Sequence, residues 1–194
     1  MIILASKSTI RLQMLRAAGV DFMAKPPHYD ESAFKILLHG LPPKTLAAKL
    51  AEGKALDVGG KYPEAHVIGA DQVLERNGQY FDKPKDVIEA KKQLQSLRDG
   101  IHQLHSAVCV SRYGKVVWQA SDTAELKMRN FSDEFLEAYL LSESEHITSS
   151  VGGYKIEGRG LQLFDQIHGD YFTILGMPLL PLLSYFRQSG VIPS

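Results

Sequence analysis

The sequence predicts an α/β fold built on a mixed sheet, and three observations carry that prediction. The chain opens with "MIILAS", an apolar run of strand length, and passes at once into "STIRLQMLRAAG", where apolar residues recur at helical spacing. The same strand-then-helix order returns in "EAHVIGAD" and "DVIEAKKQLQSLRDG". From 101 to 129 the pattern changes to two-residue alternation broken by turn formers, as antiparallel strands require.

Taken in order, Ile10, Met14, Leu15 and Ala18 form the apolar stripe of the first helix, which Gly19 stops. "KPPHYDESAF" holds two prolines and turn formers and reads as a loop. "PPKTLAAKLAEGKALDVGG" starts a helix at Pro43, ends it at paired glycines, and carries Lys44, Lys49 and Lys54. "NGQYF" contains an Asn-Gly hairpin turn, and the helix after it turns Val87, Ala90, Leu94 and Leu97 to the core. The 101–129 segment reads as three β-like runs with a tight turn at Tyr113 and Gly114. Ser132 is an N-cap for a helix running to about Leu141. Glycine-rich chain with short strands follows, and "PLLPLLSYFRQSG" closes as a proline-started helix.

At 194 residues the chain suits one domain, 1–194, or two closely fused lobes. Hydrophobic residues at 44% and charged residues at 23% match a folded globular protein. With 22 basic against 22 acidic residues there is no global field to draw a nucleic-acid polymer or an anionic membrane, so an anionic partner must meet a local site. The one cysteine, Cys109, excludes an internal disulfide and fits a reducing cytosol. The amino terminus lacks the order of a secretory signal, and the longest apolar stretch is broken by Pro178 and Pro181, so no transmembrane segment is predicted.

Several residue groups carry candidate chemistry, each with a plainer alternative. In "ASKSTIR", Ser6, Ser8 and free backbone N–H groups at a helix start suit an anion, with Arg11 one turn in; alternatively Ser8 only caps the helix. Asp71 follows an apolar strand, where a carboxylate at the ligand end of a sheet holds Mg²⁺ or activates water, or else begins a turn. Asp30 and Glu31 form an acidic pair that is either displayed for function or simply solvated. Lys54 and Lys83 suit phosphate oxygens, or surface solvation. His102 and His105 project to opposite faces of a strand, which argues against zinc, and no Gly-x-Ser-x-Gly elbow is present.

In order along the chain, "LASKSTIRLQML", "YDE", "LAAKLAEGKA", "GADQV", "DKP", "GGYKIEGRG" and "GDYFTILGMPL" resemble the motifs of the Maf family of nucleoside triphosphate pyrophosphatases. Thr9 stands where that family's opening has proline, and Ser150 where its dTTP/UTP branch has lysine. Asp71-Gln72 and Glu157 are similar to the 7-methyl-GTP branch rather than to the dTTP/UTP branch. The resemblance implies a Maf/ITPase-like fold: an elongated mixed sheet flanked by helices, in two lobes around a nucleotide-binding cleft.

It also implies hydrolysis between the α and β phosphates, giving a nucleoside monophosphate and pyrophosphate. Asp71 would be catalytic, and Glu31 and Asp71 would hold a divalent cation, Mg²⁺ or Mn²⁺. Ser6, Arg11, Lys54, Gln72, Lys83 and Glu157 would bind substrate, with Gln72 helping to choose the base. Glu157, acceptor-only, suits the N1–H and N2–H₂ donors of a guanine edge and favours a methylated, cationic base. A cytoplasmic homodimer is implied. The alternatives are a dTTP/UTP pyrophosphatase of the same family and a nucleotide-binding regulator of cell division with little turnover.

Overall fold

The computed structural model describes residues 1–28 and 30–193, so Tyr29 of "YDE" lies outside the described residues. The first strand, β1 (Ile2–Leu4), lies between parallel partners, β2 (Met23–Ala24) and β3 (His66–Arg76), and is buried on both faces by the helices that cover the sheet. With β4 (Gln79–Phe81), β5 (Ile101–Arg112), β6 (Lys115–Met128) and β7 (Phe164–His168) the sheet has seven strands. Their order is β2-β1-β3-β5-β6-β7, with β4 beside β3. The β3–β4 and β6–β7 pairs are antiparallel, so the sheet is mixed.

The chain forms two compact units. The first comprises Met1–Gln72, His105–Thr123 and Asp170–Ser194. Its strands alternate: Ile2, Leu4, Ile68 and Ala70 pack in the cluster that includes Met14 and Leu15 of α1 (Thr9–Ala17) and Leu179, Leu182 and Phe186 of α7 (Leu179–Gln188). Ile3, Ala5 and Val67 pack with Val58 of α3 (Pro43–Gly59). The first unit also holds α2 (Glu31–Leu37) and the short α6 (Tyr171–Ile174). The second unit, Val73–Leu104 and Ala124–Gly169, holds α4 (Val87–Leu97) and α5 (Asp133–Ser142).

Both predicted turns are present: Asn77 and Gly78 take φ of 53° and 79°, and Tyr113 and Gly114 take 51° and 71°, the left-handed pairs that suit two-residue hairpins. Ser132 caps α5 by accepting from Phe135 N–H.

Four expectations need correction. The 101–129 segment is two long strands, not three runs, since Tyr113–Gly114 is its one reversal and the alternation continues unbroken through β6. The loop expected over "KPPHYDESAF" gives way at Glu31 to α2, because Asp30 accepts from Ala33 N–H and starts the helix. Asp71 does not end its strand; pairing of Leu74 with Phe81 draws β3 on to Arg76. Val87 is 39% exposed, while α4 buries Ala90, Gln93, Leu94 and Leu97; likewise Ala18 is exposed where α1 ends.

Candidate active site

In the first unit, a close helix–strand contact brings together residues far apart in sequence. At Gly69 a Cβ would stand 2.1 Å from the Ala51 carbonyl oxygen and 2.8 Å from the Ala55 nitrogen, so α3 lies flush on β3 only because residue 69 has no side chain. Ala47, Ala51 and Ala55 supply the matching small face of α3. Lys54, on that helix, then reaches Asp71, two residues beyond Gly69 on the same strand face.

Lys54 Nζ donates to Asp71 Oδ1 at 2.7 Å and lies 3.0 Å from Glu31 Oε2. Lys54 and Asp71 are each 8% exposed. One ammonium thus ties two carboxylates: the Lys54–Asp71 pair is buried, which is tolerated because each ion has an opposite partner, and the half-buried Glu31 joins it from the rim. Lys35 adds a second cation 3.4 Å from Glu31 Oε1. Burial raises the Glu31 pKa, but the charges and hydrogen bonds of Lys54 and Lys35 together outweigh it, so this carboxyl ionises below its ordinary range. Asp30, the other member of the acidic pair, serves the backbone as the start of α2.

Arg11 is buried at the foot of α1. Its Nε donates to the Gly176 carbonyl and its Nη1 to the Ala70 carbonyl, both at 2.9 Å. Burial lowers its pKa, opposed by the negative charges of Asp71 and Glu31. Gly176 takes φ of +100°, and a Cβ there would stand 3.3 Å from Arg11 Nη2 and 3.7 Å from Gln72 Oε1. Ser6, also buried, accepts from Ser8 N–H at 3.1 Å, while the Ser8 side chain makes no capping bond to α1.

Gln72 leaves β3 on the face opposite Asp71. Its Nε2 lies 3.0 Å from Ser106 Oγ, 3.1 Å from the Thr173 carbonyl and 2.9 Å from that of Ile174. Its donors are therefore engaged by the protein, which leaves Oε1 as the atom for a ligand. Thr173, fully buried, is the hub: it accepts from Ser106 Oγ and donates through Oγ1 to Asp122 at 2.8 Å. No local pattern flags Ser106, Asp122 or Thr173, whose long-range contacts span 34 to 101 residues of sequence. The one local signal is Asp170, three residues before Thr173, whose N–H it caps.

Two candidates belong to the second unit. Lys83 is exposed in the connection from β4 to α4, and Glu157 is exposed in the turn after Tyr154. Among the described residues, no group of three or more His, Cys, Asp or Glu side chains is placed to hold a metal ion. Nor is any described helix long and apolar enough to cross a membrane.

The model of the family described as "Maf-like protein" matches residues 1–189. The chain belongs to the Maf family. Curated relatives of this Maf chain include a "7-methyl-GTP pyrophosphatase" of Rhizobium etli, 44% identical over 98% of this chain and 97% of its own. A "Nucleoside triphosphate pyrophosphatase" of Rhodopseudomonas palustris is likewise 44% identical, over 98% of this chain and 95% of its own. Among solved structures, a nucleoside-triphosphatase / dITP/XTP pyrophosphatase from Mycobacterium abscessus aligns with 99% of the Maf chain and 97% of its own length at 14% identity. The TM-score of that alignment is 0.42.

Proposed function

We propose that this protein hydrolyses nucleoside triphosphates between the α and β phosphates, with 7-methyl-GTP as its preferred substrate. The observation that carries the reading is the Lys54–Asp71–Glu31 cluster, built into the pairing of β3 with α3. The relatives named as pyrophosphatases, at 44% identity over nearly the whole chain, support the reaction and the substrate.

In the proposed reaction the oxygen of water bonds to the α phosphorus, the Pα–O bond to the bridging oxygen breaks, and pyrophosphate leaves. Asp71 Oδ1 is occupied by Lys54, so Oδ2 accepts the proton of the attacking water. Lys54 holds Asp71 in place, and Glu31 balances the lysine's charge. The Arg11 guanidinium, anchored through Nε and Nη1, turns Nη2 and its charge to the phosphates, assisted by Ser6 and the amides of the β1–α1 loop. Lys83 neutralises phosphate oxygens, Glu157 accepts from the guanine edge, and Gln72 Oε1 contributes to base choice.

Glu31 and Asp71 offer the hard oxygen donors that Mg²⁺ or Mn²⁺ takes when phosphates and water complete its shell. Such a cation, when bound, neutralises phosphate charge and acidifies water. A cytosolic homodimer completes the proposal, on the strength of the resemblance to the family.

The test is pyrophosphate release from 7-methyl-GTP, GTP, dTTP, UTP and CTP with Mg²⁺. Fastest release from 7-methyl-GTP is the expected result. Preference for dTTP or UTP would move the protein to the other branch, and release from none would leave a nucleotide-binding regulator.

A further inference from the structure

The second unit buries a polar pair that the reaction above does not use. His102, at the start of β5, is 1% exposed, and its Nε2 lies 2.7 Å from Tyr154 Oη. The ring packs against Tyr154 and Phe164, with centroids 5.6 and 5.9 Å away, and Tyr154 meets Phe164 edge-on at 4.9 Å. Burial, reinforced by the charge of Arg76, lowers the imidazole to about 4, so the ring is neutral. Its Nδ1 is buried without a hydrogen-bond partner.

Leucine or phenylalanine at 102 would leave the buried Tyr154 hydroxyl without this partner, and a buried polar group left unpaired costs about 1–3 kcal/mol. The bond thus fixes the Tyr154 hydroxyl as well as satisfying it.

The segment around Tyr154 is held at further points. Ser150 Oγ donates to the Tyr154 carbonyl at 2.7 Å, and Tyr139 Oη donates to that of Gly153 at 3.1 Å. Gly152 and Gly153 take φ of 74° and 68°, and a Cβ on Gly152 would strike Leu74 and the Tyr154 ring at 2.7 and 2.8 Å. Downstream, Gly160 lies against Lys155, where a Cβ would stand 2.3 Å from the carbonyl oxygen. Between these anchors Ile156 is buried and Glu157 is exposed. The placement of Glu157 is thus set by Tyr154 at one end and Gly160 at the other.

We propose that His102 is a positioning residue for nucleotide selectivity, holding through Tyr154 the 154–160 turn that presents Glu157. The inference rests on the reading of Glu157 as the acceptor for the base. Small displacements of a positioning group weigh heavily: about 1 Å can change a rate by two orders of magnitude.

The test compares Tyr154→Phe, His102→Phe, the double variant and Glu157→Gln. The readout is the kcat/KM ratio of 7-methyl-GTP to GTP, with Tm measured alongside. Tyr154→Phe keeps the ring and removes only the hydroxyl. The expected result is a roughly tenfold fall in the ratio for each single variant, carried by KM, with the double variant no worse than either single because the shared bond is already gone.

An unchanged ratio in Tyr154→Phe overturns the inference. If Glu157→Gln alone shifts the ratio, the base reading stands without it. If the ratio falls in Tyr154→Phe and not in Glu157→Gln, the positioning role stands and another atom of the turn reads the base. Amide hydrogen exchange in His102→Phe gives an independent reading. Faster exchange confined to 154–160 is the supporting result, and faster exchange spread evenly through β5 and α4 contradicts it.

Discussion

The two carboxylates given roles in the proposed function, Asp71 in the first unit and Glu157 in the second, are held in opposite ways. In the first, Asp71 sits mid-strand, buried, and is held by a charged partner on a helix that Gly69 admits to close contact. In the second, Glu157 is exposed on an irregular turn whose anchors, His102, Tyr139, Ser150 and Tyr154, are all neutral. A water-activating group needs a fixed charge in a dry setting, whereas a base-reading group needs a fixed position at the surface. On the proposed roles, charge pairing serves the first need and neutral hydrogen bonding serves the second.

The largest effect that separates them is Asp71→Asn. It keeps the shape of the side chain and removes the base, so kcat should fall by about 10²–10⁴-fold with selectivity unchanged among residual rates. Glu157→Gln should do the reverse, moving selectivity while leaving kcat for the favoured base within about tenfold. Steady-state kinetics on both variants checks the division; a kcat collapse in Glu157→Gln would break it.

Lys54→Met comes next. It leaves Asp71 buried without its cation, which costs about 3–5 kcal/mol of stability by urea unfolding. Gly69→Ala should cost about 1–3 kcal/mol or more, because the new methyl meets the Ala51 backbone and α3 must shift. It should also lower kcat, since Lys54 moves with the helix. Full activity in Gly69→Ala would show that the flush contact does not set the cluster.

The units also differ in their pH windows. Glu31 ionises below its reference of 4.5, so it stabilises the fold above that value, and the contribution is lost as pH falls through the lower folded value. His102 is held neutral down to about 4 against a reference of 6.5, so the unfolded chain takes up a proton first and stability declines as pH falls from 6.5 to 4. Unfolding curves across pH should therefore lose slope between 6.5 and 4 in His102→Phe, and below 4.5 in Glu31→Gln. An unaltered slope in His102→Phe would remove that residue from the window.

The smallest effect concerns helix starts. Ser132 caps α5 and Asp86 caps α4 with side-chain bonds, whereas Ser8 makes none at α1. Ser132→Ala should cost about 1 kcal/mol and Ser8→Ala under about 0.5 kcal/mol by thermal unfolding.

The legibility of these features follows their range in sequence. The β1–α1 unit, α3, both hairpin turns and the α5 cap are local patterns, and each was readable because propensity and burial agree there. The α2 helix was not, because Pro26 and Pro27 and the turn formers after them mask a start that only the Asp30 cap reveals. The continuation of β3 past Asp71 depends on pairing with β4, a partner not visible in the strand's own residues. For the site, Asp71, Lys54 and Glu31 were nameable by type and motif, but the ammonium that joins them is a product of packing. That Gln72 spends its donors on Ser106, Thr173 and Ile174, and that His102 meets Tyr154 across 52 residues, follows only from the folded chain.

The claim most worth testing is that Asp71 directs water to the α phosphorus. Hydrolysis of 7-methyl-GTP in ¹⁸O-water, followed by ³¹P NMR of the products, reads the bonded atom directly. The label should appear in the nucleoside monophosphate, and its incorporation should slow by about 10²–10⁴-fold in a folded Asp71→Asn. Label in pyrophosphate or in released orthophosphate, or an undiminished rate in Asp71→Asn, would contradict the account.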